Sequence, residues 1–235
     1  MPCKSIPERG RIAAGDRPLL THLQKAGEAA PTSALLRSHL GWHSRGYLPH
    51  LDAAGLTQSV TFRLADSLPG AQAEIGSELA RLGSDAKRRA LAEAWLDRGY
   101  GSCALRESDL AALVENALLC FDGQRCRLLA WVVMLNHVHV LVGVFPNWPL
   151  RSLVKSWKSY TARAINDRLG RRGTLWQTDY FDRFIRDDAH LRSEIEYIED
   201  NPVKAGLVAC AADWPWSSAS RQRSADVSPQ GDRPA

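Results

Sequence analysis

Apolar positions along the chain switch between a period of two and a period near 3.6, and the switches mark out its elements. Gln58-Ser-Val-Thr-Phe-Arg-Leu64 alternates and is β-branched and aromatic, the pattern of a first strand. Ser67-Leu-Pro-Gly70 is a turn into Ala71–Arg98, which is rich in Ala, Leu, Glu and Arg and reads as one helix, or two meeting near Gly83-Ser84. Gly99-Tyr-Gly-Ser102 breaks it. Ser108 is expected to cap a helix over Asp109–Phe121, with acids early in it where the helix dipole favours them. Arg125–Leu135 and His137–Phe145 are almost wholly apolar and read as buried second and third strands, antiparallel with Asn136 at a tight reversal. In Leu150–Leu169, residues Leu150, Val154, Trp157, Thr161 and Ile165 recur at helical spacing and should face the core, with Gly170 and Gly173 ending the helix. Tyr180–Arg186 suggests a fourth strand. A last helix, Ala189–Asn201, carries the stripe Leu191, Ile195 and Ile198 and stops at Pro202, and Asp213-Trp-Pro-Trp-Ser-Ser218 reads as an ordered aromatic lock.

This order of elements predicts an α+β fold: an antiparallel sheet of four to five strands with flanking helices. Residues 1–44 mix Pro, Gly, Ala, Ser and Arg without sustained periodicity and read as a flexible N-terminal extension. The domain is expected over 45–219, with a disordered tail at 220–235. No run of eighteen apolar residues occurs and the first residues lack an apolar signal core, so neither a membrane span nor secretion is expected. The five cysteines, at 3, 103, 120, 126 and 210, are scattered and form no CxxC pair, which argues against a disulfide framework or zinc knuckle and fits a reducing cytoplasm.

Charge changes the picture locally. The net charge is only +4, but between Gln124 and Arg186 eleven Lys or Arg stand against three Asp, an excess of +8. Such a stretch is a footprint for a polyanion, although a solvated basic surface has the same composition. Arg151, Lys155 and Lys158 recur on one face of the Leu150–Leu169 helix and could track phosphates, with Arg171, Arg172, Arg183 and Arg186 further along. Trp148, Trp157 and Trp176 are candidates for stacking on bases, though the helical phase of Trp157 favours the core.

The candidate chemistry sits on the third strand and the last helix. His137 and His139 are i and i+2 in a strand, so both imidazoles project from one face, which suits half of a metal site; a structural pair of core histidines fits the same pattern. Tyr197 and Asn201 are i and i+4 on one helix face. An amide oxygen can complete a site for a hard divalent cation, and a tyrosine hydroxyl can attack an electrophile held there. A half-buried helical tyrosine and a helix-terminal asparagine before Pro202 are the plain alternatives.

Asn136-His-Val-His139, followed by Tyr197-Ile-Glu-Asp-Asn-Pro-Val-Lys-Ala-Gly-Leu207, resembles the HUH single-tyrosine transposases, and more closely the REP-associated tyrosine transposases of bacteria. Arg45-Gly-Tyr-Leu-Pro-His50, Val60-Thr-Phe-Arg-Leu-Ala-Asp66, Gly173-Thr-Leu-Trp-Gln177 and Asp213–Ser218 are similar to that family too, so the resemblance covers about Arg45 to Ser218. It implies a ferredoxin-like palm, His137, His139 and Asn201 as ligands of Mg²⁺ or Mn²⁺, and Tyr197 as the nucleophile, with Tyr160 and Tyr180 as rivals. Some relatives use Gln where Asn201 stands. The activity implied is a metal-dependent single-strand DNA endonuclease and strand transferase that forms a 5′-phosphotyrosyl intermediate on REP-type hairpin DNA. The alternatives are a catalytically inactive hairpin-binding protein on the same fold and, third, an RRM-like RNA-binding module with aromatics on an open sheet face. A cytoplasmic, nucleoid-associated monomer or homodimer is expected.

Overall fold

The computed structural model describes residues 41–44, 49–67, 91 and 94–221. Two short strands, β1 (Gly41–Ser44) and β2 (Pro49–Asp52), pair as an antiparallel hairpin. Among the described residues, β1 thus falls inside the segment read as an extension: four residues are too few to show an alternation. The helix expected over Ala71–Arg98 lies mostly outside the described residues, as do Arg45–Leu48, and residues 94–97 are helical.

The remaining elements are β3 (Thr57–Arg63), α1 (Ser108–Leu119), β4 (Cys126–Val133), β5 (His137–Val144), α2 (Leu150–Arg168), β6 (Phe181–Phe184), α3 (Asp188–Glu199) and the single turn α4 (Asn201–Lys204). The sheet is four-stranded, ordered β4-β5-β3-β6, and all three pairings are antiparallel. Numbering its strands along the chain gives β-α-β-β-α-β with spatial order 4-1-3-2, the ferredoxin-like arrangement.

Burial sorts by strand parity. Val60 and Phe62 of β3 and Val138, Val140, Val142 and Val144 of β5 face α1 and α2, packing on Leu110, Val114, Leu118, Leu153, Trp157 and Ile165. Leu141 of β5 faces the other way, onto Leu191 and Ile198 of α3. The register slips between Leu128 and Ala130, so two residues of equal parity serve opposite faces: Leu128 joins the α1–α2 core and Ala130 the α3 core. Every residue of β5 is buried and α3 covers the second face, so the open aromatic sheet that an RRM-like reading requires is not formed.

Two terminal details differ from expectation. Glu107, in extended conformation, is the N-cap of α1 and makes no side-chain cap bond; Ser108 is already helical. The last helix does not run on to Asn201. α3 ends at Glu199 and α4 begins at Asn201, because Pro202 has no N–H to give and its ring crowds the carbonyl one turn back. The aromatic lock is built as expected: Trp214 Nε1 donates to the Val133 carbonyl at 2.9 Å and Val133 N to that of Trp216 at 2.8 Å, which occupies the outer edge of β4.

Candidate functional site

β5 carries His137 and His139 on its odd face, toward α3. Both are essentially inaccessible, and their rings meet edge to face with centroids 4.8 Å apart. β3 supplies the floor beside them: Thr61 is in register with His139 and Arg63 with His137. Thr61 Oγ1 and His139 Nδ1 are 2.8 Å apart. His137 Nδ1 lies 2.8 Å from Asn136 Oδ1, and its Nε2 is buried without a hydrogen-bond partner. Burial pushes the His137 imidazole down to about 3, so the ring stays neutral at physiological pH and keeps a lone pair for a Lewis acid.

α3 brings Tyr197 over this pair, its ring edge-on to His139 with centroids 5.8 Å apart. Asn201 is 2% exposed. The helix break falls between Tyr197 and Asn201, yet their i, i+4 relation survives, because Asn201 Nδ2 donates to the Tyr197 carbonyl at 2.8 Å. That bond turns the amide so that Oδ1 is the atom left for other use.

The rival tyrosines are elsewhere. Tyr180 is buried in the α1–α2 core beside His50, with ring centroids 4.7 Å apart, and Tyr160 projects from α2 at 54% exposure.

The basic residues separate into two groups. α2 packs on the sheet face opposite the histidines, and of its candidate phosphate contacts Arg151, Lys155 and Lys158, two are engaged in the fold. Arg151 pairs with the buried Asp52, and Lys158 Nζ donates to the carbonyls of Gln177 at 2.6 Å and Thr178 at 2.8 Å. Lys155 is exposed. Arg171 donates to Asn166 Oδ1 at 2.9 Å, and Arg172 is exposed on the same loop. Arg183 differs: its register with Ser59 puts it on the histidine face, and Arg186 is exposed just before α3. Of the tryptophans, Trp157 and Trp176 are core residues, while half-buried Trp148 stacks on the Arg125 guanidinium, 4.3 Å from its ring centroid.

From the sequence there was no reason to assign a chemical role at the site to three residues that touch it. Lys204 Nζ lies 4.5 Å from the Tyr197 ring centroid, a cation–π contact between positions two helical turns apart. Thr61 and Asn136 hold the imidazoles by their Nδ1 atoms. The Lys204 spacing was visible in the sequence; the two imidazole contacts depend on strand register and on the turn.

Two buried imidazoles, one of them neutral with an unpartnered Nε2, have the donor character that suits a borderline divalent cation. Among the described residues no three His, Cys, Asp or Glu side chains cluster to hold one.

Residues 106–201 match the family model described as "Transposase IS200 like". A candidate REP-associated tyrosine transposase of Haemophilus influenzae is 40% identical over 60 residues, 26% of this chain and 34% of that protein. A REP-associated tyrosine transposase of Escherichia coli is 29% identical over 93 residues, 38% of this chain and 52% of that protein. The matches therefore span only about a third to a half of the length of these relatives. A solved structure of a REP-associated tyrosine transposase bound to a REP hairpin superposes with a TM-score of 0.50 at 20% identity, over 80% of this chain and 93% of that one, which is a likeness of fold.

The match to the IS200-like transposase family is confined to residues 106–201. The curated proteins that the chain resembles are REP-associated tyrosine transposases, as the His-Val-His and Tyr…Asn-Pro-Val-Lys motifs indicated.

Proposed function

We propose that this chain is a metal-dependent single-strand DNA endonuclease and strand transferase acting on REP-type hairpin DNA, with Tyr197 as its nucleophile. The observation that carries the reading is the meeting of Tyr197 with His139 at a buried histidine pair whose His137 Nε2 has no partner. His137, His139 and Asn201 would hold Mg²⁺ or Mn²⁺, which when bound would polarise the scissile phosphate and offset charge developing on it. The domain would comprise residues 45–219 together with the β1 strand that precedes them.

The chain's own part is to orient and to attack. Tyr197 Oη bonds to phosphorus in line with the scissile P–O bond and loses its proton. That bond breaks, and its electron pair leaves on the 3′ oxygen, which becomes a free 3′-OH. The product is a 5′-phosphotyrosyl bond. A phenol titrates ordinarily near 10, so the tyrosine is also a competent leaving group when an incoming 3′-OH reverses the step and reseals or transfers the strand. Arg183 stands on the histidine face and Arg186 is exposed just before α3, and both would contact phosphates near the reacting centre. Lys155 and Arg172 are exposed to bind DNA elsewhere, whereas Arg151, Lys158 and Arg171 would contribute to DNA binding alongside their bonds within the fold.

The test is a denaturing gel of the protein incubated with labelled single-stranded REP-type DNA and Mn²⁺ or Mg²⁺, with Tyr197→Phe alongside. A covalent adduct that needs metal and is absent from the variant supports the reading. An adduct that survives in Tyr197→Phe refutes the tyrosine assignment. Hairpin binding with no adduct would identify a binding protein.

A further inference from the structure

Asn136 occupies the turn between β4 and β5 and is fully buried. Its side chain is committed on both sides. Nδ2 donates to two backbone carbonyls, of Leu96 at 3.2 Å and of Tyr100 at 3.1 Å, and Oδ1 faces His137 Nδ1 at 2.8 Å. An amide can be flipped in principle, but here a flip would set its oxygen against two carbonyl oxygens and its NH₂ against the ring. The orientation is therefore determined by chemistry. Oδ1 carries no hydrogen, so the bond to His137 exists only if Nδ1 is protonated.

We propose that Asn136 is a positioning residue that imposes the Nδ1–H tautomer on His137, so that the Nε2 lone pair is the one directed into the site. This rests on the metal reading above for its purpose, but not for its evidence. His137 Nε2 is the nitrogen without a hydrogen-bond partner, as the tautomer requires. The device also ties the site to a loop. Residues 96–102, held by the two Asn136 bonds and by Ser102 N donating to Asp66 Oδ2 at 2.8 Å, press on the amide whose oxygen orients the ring. A histidine ligand oriented through its second nitrogen usually relies on a carboxylate or a backbone carbonyl; here a locked primary amide has that part.

The experiment uses the full chain, metal-free, with ¹⁵N-labelled histidine. Long-range ¹⁵N–¹H correlation spectra report which ring nitrogen carries the proton, with His137→Gln assigning the resonance. The expected result for the wild type is neutral His137 protonated at Nδ1; protonation at Nε2 overturns the proposal. In parallel, Mn²⁺ is titrated by electron paramagnetic resonance. Asn136→Ala should bind Mn²⁺ about 10–100-fold more weakly, and equal binding by a folded Asn136→Ala overturns the positioning role. Should that variant not fold, the tautomer of wild-type His137 decides the proposal by itself. A wild type that binds no Mn²⁺ yet shows the Nδ1–H tautomer sinks the metal reading and supports the tautomer assignment, so the two failures are distinct.

Discussion

Replacing Thr61 with valine removes one hydroxyl from the histidine face and almost nothing else. Valine keeps the β-branched shape that a strand accommodates, and the main-chain pairing of Thr61 with His139 and Phe181 does not involve the side chain. What is lost is the 2.8 Å contact between Thr61 Oγ1 and His139 Nδ1. A neutral hydrogen bond of this kind contributes about 0.5–1.5 kcal/mol to folding. For a domain of this size that is a fall of about 1–6 °C in melting temperature. The effect on a metal should be larger than the effect on the fold. Partners that orient a ligating histidine are worth about 10–100-fold in metal affinity, or about 1.4–2.7 kcal/mol. Urea unfolding of the metal-free protein measures the first quantity, and Mn²⁺ titration followed by electron paramagnetic resonance the second. Should Mn²⁺ affinity stay within about twofold of wild type while the urea midpoint falls, Thr61 serves the sheet alone and the reasoning fails.

Three other outcomes follow from the structure. Asp182→Ala strips a buried carboxylate that accepts from His50 Nδ1, from Gln58 Nε2 at 3.0 Å and from Leu51 N at 3.4 Å, so unfolding free energy should drop by about 3–5 kcal/mol. Asp182 faces away from the histidines, in register with Val60, so Mn²⁺ affinity of the folded variant should be unchanged; a loss below about 1 kcal/mol in urea unfolding counts against the cluster as a clamp between β2 and β6. Glu199 is held above its ordinary value of 4.5, first by burial, with Asp200 adding to the effect and the Ser218 hydroxyl opposing it. A carboxyl raised in the folded state stabilises below its unfolded pKa and loses that contribution as pH rises through the folded value. Glu199→Gln, which can still accept from Ser218 Oγ, should therefore gain on the wild type in urea midpoint between about pH 4 and about pH 7; an unchanged difference refutes the sign. Gly101→Ala puts a Cβ 2.3 Å from the Asp66 carbonyl oxygen at a φ of +86°, and should lower the thermal midpoint more than Gly55→Ala, whose φ is +69° with open space around it. Equal shifts for the two would mean that the loop over Asp66 yields.

Much of the fold was legible along the chain because its signals are local. A period-two run marked β3, a continuous apolar run marked β5, helical spacing marked the buried stripe of α2, and i, i+2 and i, i+4 spacings singled out His137 with His139 and Tyr197 with Asn201. Pro202 announced a stop but not that the helix would end before Asn201 and that Asn201 would bridge the gap with its own side chain. The basic helix shows the limit most plainly. Arg151, Lys155 and Lys158 are alike in sequence, but Asp52 lies 99 positions from Arg151 and the carbonyls of residues 177–179 lie 19 to 21 from Lys158, so only the folded chain decides that Lys155 is the exposed one. The same holds for the slip at Leu128–Ala130, which exchanges the faces of β4 in a run apolar on both sides, and for the Asn136 amide that orients His137. Periodicity specifies which side of an element is apolar, since that depends on neighbours one turn or two residues away. Which polar groups meet across the sheet depends on register, handed down by hydrogen bonds between segments distant in the chain, and that is determined by the tertiary structure alone.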